Sequence, residues 1–366
     1  MNFSEKIIKE KLLEVIMTFP KVSIIIATFN SEKVLPRTLD AIKRQSYPSN
    51  KIEVLLIDGG STDNTLSLAD AYNCIVYPNP KTDPVNAKLI GFRKASGKYV
   101  ITIDHDEVME NKDSILRKVI SLEENSSCKV ALCSGYKRPN KYPLLNQYIS
   151  EFGDPFSLFI YRFSKGYNFF EKVLRKKFDI INENNDYLVI SFNNIKTPVI
   201  FELCCMGTMV DREYFNTIPG AFEEGDVFTH LFYYMIESGS KNVIMVKDDP
   251  LTHYSVDSLK AYFPKIKWRI INNVHFEQQG NNGFSGREKL QPSIKYKKYL
   301  FPLYSYTLFF SLFDSVYYSI TRKNGIFLLH WILCIYVASQ IIYQYFLKII
   351  HKRPQFTSYD GKKVIM

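Results

Sequence analysis

The chain is poor in the signatures that would place it in several common classes. It has six cysteines, Cys74, Cys128, Cys133, Cys204, Cys205 and Cys334, and no two of them form a C-x-x-C pair. That spacing supports neither a disulfide framework nor a zinc site, and it predicts free thiols in a reducing compartment. No G-x-G-x-x-G follows the first strand-like run, which argues against a dinucleotide cofactor, and no Walker A sequence occurs. The net charge is +10, yet there is no basic repeat or nucleic-acid fingerprint. The basic excess therefore points to anionic lipid or phosphorylated substrates, and nucleic acid is not expected as a partner. A secretory leader is not expected either. Residues 4–18 interleave Glu5, Lys6, Lys9, Glu10, Lys11 and Glu14 with Ile7, Ile8, Leu12, Val15 and Ile16. This spacing predicts an amphipathic helix packed on its own protein, with a membrane-surface role as the alternative.

What is present is a large apolar share. Hydrophobic residues make up 46% of the 366 and aromatics 15%, with much of the aromatic excess after residue 295. Such a chain can bury a sizeable core in more than one domain. From Val22 strands and helices alternate. Val22 to Ala27 reads as a buried strand, and Val34, Leu35, Leu39 and Ile42 as a helix that Tyr47-Pro48 ends. Ile52 to Ile57 is a second strand. Thr62-Asp63-Asn64 can cap a helix through Leu66, Leu68 and Ala69, and Cys74 to Tyr77 is a short strand. Asp83-Pro84 opens a helix with Ala87, Ile90 and Gly91 on one face, and Gly97 stops it before the strand Tyr99 to Ile103.

This alternation predicts an α/β fold with a mainly parallel, doubly wound sheet. Ligands of such sheets bind beyond the carboxyl ends of the strands. Three polar clusters fall there: Thr28-Phe29-Asn30, Asp58-Gly59-Gly60-Ser61 and Asp104-His105-Asp106. The third is a D-x-D turn, and its two carboxylates suit a divalent cation such as Mn²⁺ or Mg²⁺ bridging to substrate phosphates. Residues 110–260 read less clearly. Asp154-Pro155-Phe156 starts an aromatic stretch, and Arg175-Lys176-Lys177 is either a solvated helix face or a contact for an anion.

The three clusters, in this order and spacing, resemble the nucleotide-sugar-binding half of a family 2 glycosyltransferase with the GT-A (Rossmann-like) fold. The matching pieces are Val22 to Asn30, Leu56 to Thr65, and Gly97-Lys98-Tyr99-Val100 running into Asp104-His105-Asp106. A weaker likeness continues from Gly207 through Asp226 to His253. The resemblance implies a donor site made of Ala27, Thr28, Phe29, Asn30, Asp58, Gly59, Lys88, Asp104, His105 and Asp106. Phe29 would stack on the base, and Asp58 would accept an imide N–H of uracil or guanine. Gly59 stands where many relatives have a second Asp. Lys88 falls where relatives place a basic residue near the diphosphate. Asp106 would be the direct metal ligand, Asp104 would lie nearer the ribose or the metal waters, and His105 would only occupy the turn. Within Phe222 to Phe228 the resemblance implies Asp226 as the catalytic base, with Glu224 as backup, although Gly225 replaces the Glu that often precedes that Asp. His253 would reach the metal or the diphosphate.

The tail changes character. Ile326 to Leu347 has 22 residues without Asp, Glu, Lys or Arg, long enough to cross a bilayer. Tyr299 to Ile320 is similar but contains Pro302 and Asp314. Lys295, Lys297 and Lys298 precede the first run, and Lys348, Lys352 and Arg353 follow the second, which predicts a transmembrane hairpin with both ends cytoplasmic. The alternative is an interfacial first helix followed by one span. The domain plan is then an amphipathic helix over 1–20, the donor half over 21–110, the acceptor-binding half over 111–270, a basic linker over 271–298, hydrophobic helices over 299–350 and a basic tail over 351–366.

Together these features predict an inverting, metal-dependent glycosyltransferase at the cell membrane, with its catalytic domain cytoplasmic. The donor would be a nucleoside diphosphate sugar, UDP-sugar favoured and GDP-sugar as the alternative. The acceptor would be lipid-linked, a polyprenyl phosphate or a lipid-linked glycan. Two rival readings are a non-catalytic, membrane-anchored sugar-nucleotide-binding protein and a nucleotidyltransferase. The absence of a Gly-rich, basic triphosphate loop after the first strand argues against the second.

Overall fold

The computed structural model describes residues 19–192, 206–218, 239–275, 294–355 and 357. The expected helix over 4–18, Cys204, Cys205, Glu224 and Asp226 lie outside the described residues. The chain divides into two compact units. Of the described residues, the first unit holds 19–136, 170–192, 206–218 and 239–253, and the second holds 137–169, 254–275, 294–355 and 357. The segment 137–169 thus groups with the tail helices.

The first unit is mixed α/β. Strand β1 (Val22–Thr28) is followed by helix α1 (Leu35–Lys43), β2 (Ile52–Asp58), α2 (Thr65–Ala71), β3 (Ile75–Pro78), α3 (Pro84–Lys94), β4 (Tyr99–Asp104), β5 (Glu107–Met109) and α4 (Ser114–Glu124). Then come β6 (Val130–Leu132), β7 (Tyr136–Lys137), β8 (Asp179–Glu183), β9 (Tyr187–Ser191), β10 (Thr208–Asp211), β11 (Asn242–Val246) and β12 (Leu251–His253). The main sheet has nine strands in the order β3-β2-β1-β4-β10-β6-β11-β9-β8. Within it, β9 and β10 run against the other seven, so the sheet is mainly parallel in direction. A small sheet, β5-β12-β7, stands apart from it.

Every residue of β1 is buried, as a central strand covered on both faces requires. Val22, Ile24, Ile25 and Ile26 are fully inaccessible, each contributing roughly 1.5–3 kcal/mol of burial free energy. Helix α3 lies close against this strand. A Cβ on Gly91 would fall 2.4 Å from Cγ2 of Ile25, so only glycine lets helix and strand approach this far. Asp83 caps α3 by accepting from the Asn86 N–H at 2.9 Å. Gly97 lies beyond the helix end. A Cβ there would meet the Lys21 carbonyl oxygen and the Ser23 nitrogen at 2.7 Å, so this glycine serves a close backbone crossing at the foot of β1.

The second unit is helical: α5 (Leu144–Phe152), α6 (Pro155–Tyr161), α7 (Leu259–His275), α8 (Phe301–Tyr306), α9 (Phe309–Arg322) and α10 (His330–Ile349). The first apolar run of the tail is not one helix. It breaks at Leu308, whose φ of 60° is left-handed, into α8 of 6 residues and α9 of 14. At 1.5 Å per residue, α9 is about 21 Å long, short of the roughly 30 Å hydrocarbon core. Among the described residues, Gly325–Ile349 is the one helical stretch long and apolar enough to cross a membrane.

Candidate active site at the sheet rim

Strand order reverses beside β1: β2 and β3 lie on one side of it and β4 on the other. A crevice opens at such a switch point, beyond the carboxyl ends of β1 and β4. Strand register brings the polar clusters there. Thr28 pairs with Asp58 across β1 and β2, and Ala27 pairs with Asp104 across β1 and β4. Residues scattered from 27 to 106 therefore share one rim.

The first two clusters are tied to each other. The Asn30 N–H donates to the Ser61 hydroxyl at 2.9 Å, and the Asn30 side-chain oxygen accepts from the Thr62 N–H at 2.9 Å. Asn30 adopts a positive φ of 47°, which an Asn tolerates better than most side chains. Asp58 is buried, and one of its oxygens accepts from the N–H groups of Gly60 and Ser61 at 2.9 and 2.8 Å. Its other oxygen accepts from the hydroxyls of Ser61 and Thr28. Any base contact at Asp58 must therefore compete with these hydroxyls. Phe29 is half-buried and lies against Gly59, where an added Cβ would sit 3.3 Å from the ring's Cδ2. The missing second Asp is thus matched by a ring packed on the glycine backbone.

The third cluster sits where the chain passes from the main sheet into the small one. Asp104 ends β4, His105 and Asp106 form the turn, and Glu107 starts β5. The turn is pinned from several sides. The Thr38 hydroxyl donates to the His105 carbonyl at 2.8 Å, and the Asp104 N–H donates to Glu107 Oε2 at 3.1 Å. Lys88, on α3, is 3% exposed and places its ammonium 2.8 Å from Asp104 Oδ1. That oxygen is buried, while the Asp104 side chain as a whole keeps 39% of its exposure. Burial by itself would raise the Asp104 carboxyl; the Lys88 ammonium outweighs it and holds the carboxyl below its ordinary value.

Behind the turn, Glu107 is 1% exposed and hydrogen-bonded to the Tyr136 hydroxyl. Burial, reinforced by the negative charge of Asp104, pushes the Glu107 carboxyl well above the ordinary range. Antiparallel pairing of β12 with β5 sets His253 opposite Glu107. The His253 ring stacks on Tyr136 with centroids 4.7 Å apart and 26° between planes, and its Nε2 lies 3.6 Å from Asp106 Oδ2.

Asp104, Asp106, Lys88 and His253 are thus brought together, with Ala27, Thr28, Phe29, Asn30, Asp58 and Gly59 along the same rim. Among the described residues, no three His, Cys, Asp or Glu side chains converge as a self-sufficient metal group. A Mg²⁺- or Mn²⁺-type site does not need three, because such ions draw one or two carboxylates from protein and the rest from phosphates and water. Glu107 and Tyr136 were not distinguished by the sequence as a paired support. A lone tyrosine carries no local signal, and only strand pairing brings it to the turn. Arg175, in the basic cluster, pairs with Glu171 and Glu183.

Known proteins resemble the chain in sequence and in fold. Over 113 residues the chain is 27% identical to the poly(ribitol-phosphate) beta-N-acetylglucosaminyltransferase TarS of Staphylococcus aureus, covering 29% of this chain and 20% of that one. It is 31% identical over 115 residues to a PGL/p-HBAD biosynthesis glycosyltransferase of Mycobacterium bovis, covering 30% of this chain and 44% of that protein. The matched stretch thus spans between a fifth and less than half of these relatives. Among solved structures, the mannosyltransferase PcManGT from Pyrobaculum calidifontis, in complex with GDP-Man and Mn²⁺, superposes with a TM-score of 0.52 at 15% identity, over 91% of this chain and 88% of that one. The likeness is one of fold, GT-A. The family model described as glycosyl transferase family 2 matches residues 23–217, more than half of the chain. The chain belongs to glycosyl transferase family 2.

Proposed function

We propose that this protein transfers a sugar, with inversion, from a nucleoside diphosphate sugar to a lipid-linked acceptor at the cytoplasmic face of the cell membrane. The observation that carries the proposal is the gathering of Asp104, Asp106, Lys88 and His253 beside the strand-order switch point. Two carboxylates and an imidazole form a donor set that fits Mn²⁺ or Mg²⁺ shared with a diphosphate. Asp106 and His253 would hold the ion, and Asp104 would contact the ribose or the metal waters. When bound, the ion would offset the charge that builds on the departing nucleoside diphosphate.

The remaining roles belong to this chain's own groups. Phe29 offers its ring face to the base, and Asp58 accepts an imide N–H, for which its Ser61 and Thr28 hydroxyl partners must yield. Lys88 neutralises Asp104 at the rim and so keeps that carboxyl ionised. Asp226, with Glu224 as backup, takes the proton of a hydroxyl acceptor as its oxygen attacks the anomeric carbon; an already ionised phosphate acceptor it would only orient. That assignment rests on resemblance, since both residues lie outside the described ones. UDP-sugars are the favoured donors and GDP-sugars the alternative. A polyprenyl phosphate or a lipid-linked glycan suits the apolar tail.

The test is a panel of UDP- and GDP-sugars offered to membranes holding the full chain, with Mn²⁺ or Mg²⁺. One nucleoside diphosphate should be released, and Asp106→Ala should reduce release to background. Pyrophosphate release from a nucleoside triphosphate, or no turnover with any sugar donor, would overturn the proposal. Full transfer by Asp226→Ala would remove that residue as base.

A further inference from the structure

The helical unit carries a surface that donor chemistry does not use. Helix α9 is inverted relative to a soluble helix. It buries Ser311, Asp314, Ser315 and Tyr318, and exposes Phe309, Phe313, Val316, Tyr317 and Ile320. The exposed set recurs at helical spacing and forms one continuous apolar stripe. The inward polar side is satisfied by protein. Asp314 pairs with Arg162 at 2.5 Å and accepts from the Tyr304 hydroxyl. Helix α10 is apolar on both sides: it buries Leu333, Cys334, Val337 and Ala338 along with His330 and Gln344, and still exposes Ile332, Ile342, Tyr343, Phe346 and Ile349. Exposed cations border these stripes at Lys295, Lys323, Lys352 and Arg353. An apolar face rimmed by Lys and Arg is complementary to an anionic lipid surface.

Length would let Gly325–Ile349 cross a bilayer, but its neighbour argues against a crossing. Helix α7 packs alongside it in the same direction. Phe263 meets the Tyr336 ring at 4.5 Å, His275 Nε2 lies 3.1 Å from Gln344 Oε1, and the Lys348 ammonium donates to the Val274 carbonyl at 2.9 Å. Between these contacts α7 carries Lys265, Lys267 and Arg269, level with the middle of the apolar helix. A crossing helix would take all three cations into the hydrocarbon core, where charge is costly. A helix lying in the interface does not require any of them to enter that core.

We propose that the helical unit attaches to an anionic bilayer monotopically: α9 and α10 lie in the plane of the interface, their apolar stripes enter the acyl boundary, and neither crosses. This rests on the membrane association proposed above and not on the donor or acceptor chemistry.

Two measurements on the full chain test it. The first is sedimentation with vesicles of phosphatidylcholine, with and without phosphatidylglycerol. Binding should rise with phosphatidylglycerol and fall with salt. Replacing Phe309, Phe313 and Ile320 together by Ser should weaken it by about tenfold or more, with the circular dichroism unchanged. The second is labelling of single cysteines, Lys295→Cys, Lys323→Cys and Lys352→Cys, by an impermeant maleimide in inverted and right-side-out membrane vesicles, over the background of the parent chain. All three should react from one side. Lys323→Cys alone on the far side means a hairpin, and Lys352→Cys alone means a single span. Either result overturns the in-plane geometry and leaves membrane association standing. No sedimentation with any vesicle, or a discrete soluble dimer that hides the stripe, overturns both, and leaves sugar transfer to be judged by turnover.

Discussion

Nε2 of His253 lies 3.6 Å from Oδ2 of Asp106, although His253 falls outside the family-matched stretch 23–217. The pairing of β12 with β5 makes this meeting, and the Tyr136 ring fixes the imidazole plane. If the two side chains share an ion, His253→Ala should raise the Mn²⁺ concentration needed for half-maximal donor turnover by about 10–100-fold. Tyr136→Leu should do nearly the same through loss of the stack, and Tyr136→Phe, which keeps the ring, should do less. A Mn²⁺ titration of nucleotide release checks the order. Equal effects of the two Tyr136 variants would show that the hydroxyl on Glu107, not the ring, matters.

The Lys88–Asp104 pair makes a pH-dependent contribution to stability. Because Lys88 holds the folded Asp104 carboxyl below its ordinary 3.8, the contribution is present above that value and is lost as pH falls through the folded value. Lys88→Met should therefore destabilise the protein at pH 7 by about 1–2 kcal/mol, a figure kept low because Asp104 is 39% exposed and partly screened. The gap between the two proteins should close as pH falls below 3.8. Urea unfolding at neutral pH and in acid measures it.

Two glycines should respond differently to alanine. At Gly91 the new methyl meets the branch carbons Cγ2 and Cγ1 of Ile25, a side chain with little rotameric freedom in a buried strand, so α3 must move slightly off β1 and Gly91→Ala should cost about 1–3 kcal/mol. At Gly97 it meets backbone atoms of Lys21 and Ser23, which cannot rotate away. Gly97→Ala should cost more than Gly91→Ala, or prevent folding. Thermal melts of the pair, with soluble yield as a second readout, check the ranking.

In the helical unit, the buried ring of His330 bonds to two tyrosines, Tyr148 at Nδ1 and Tyr304 at Nε2, each at 2.8 Å. Tyr304 donates its own proton to Asp314. It can then only accept from His330, which places the imidazole proton on Nε2 and makes Tyr148 the donor to Nδ1. Nitrogen-15 shifts of His330 should report the Nε2–H tautomer, and Asp314→Asn should disturb it. A predominant Nδ1–H form would reverse the direction of the whole chain of bonds.

The strand–helix alternation from Val22 to Asp104 was legible because parallel strands covered on both faces become continuous apolar runs, while Asp, Pro and Gly punctuate the helices between them. The rim was legible for the same reason: residues that follow such strands must emerge on one edge. Lys88 was harder. A lysine on a helix reads as solvated, and nothing local shows that its ammonium is buried against Asp104. The tail was legible as apolar but not in its geometry, since Pro302 and Asp314 do not reveal the break at Leu308.

By itself the sequence determined the order of the α/β elements, the three clusters at their carboxyl ends and an apolar tail, because periodicity and turn chemistry are local. The tertiary structure alone decided that the pairing of β12 with β5 and the Tyr136 ring hold His253 beside Asp106, that Lys88 is buried against Asp104, and that α9 turns its polar side inward. Those outcomes depend on antiparallel pairing, on how closely a glycine lets a helix approach a strand, and on buried polar partners far away in the chain. None of them leaves a mark in the spacing of neighbouring residues.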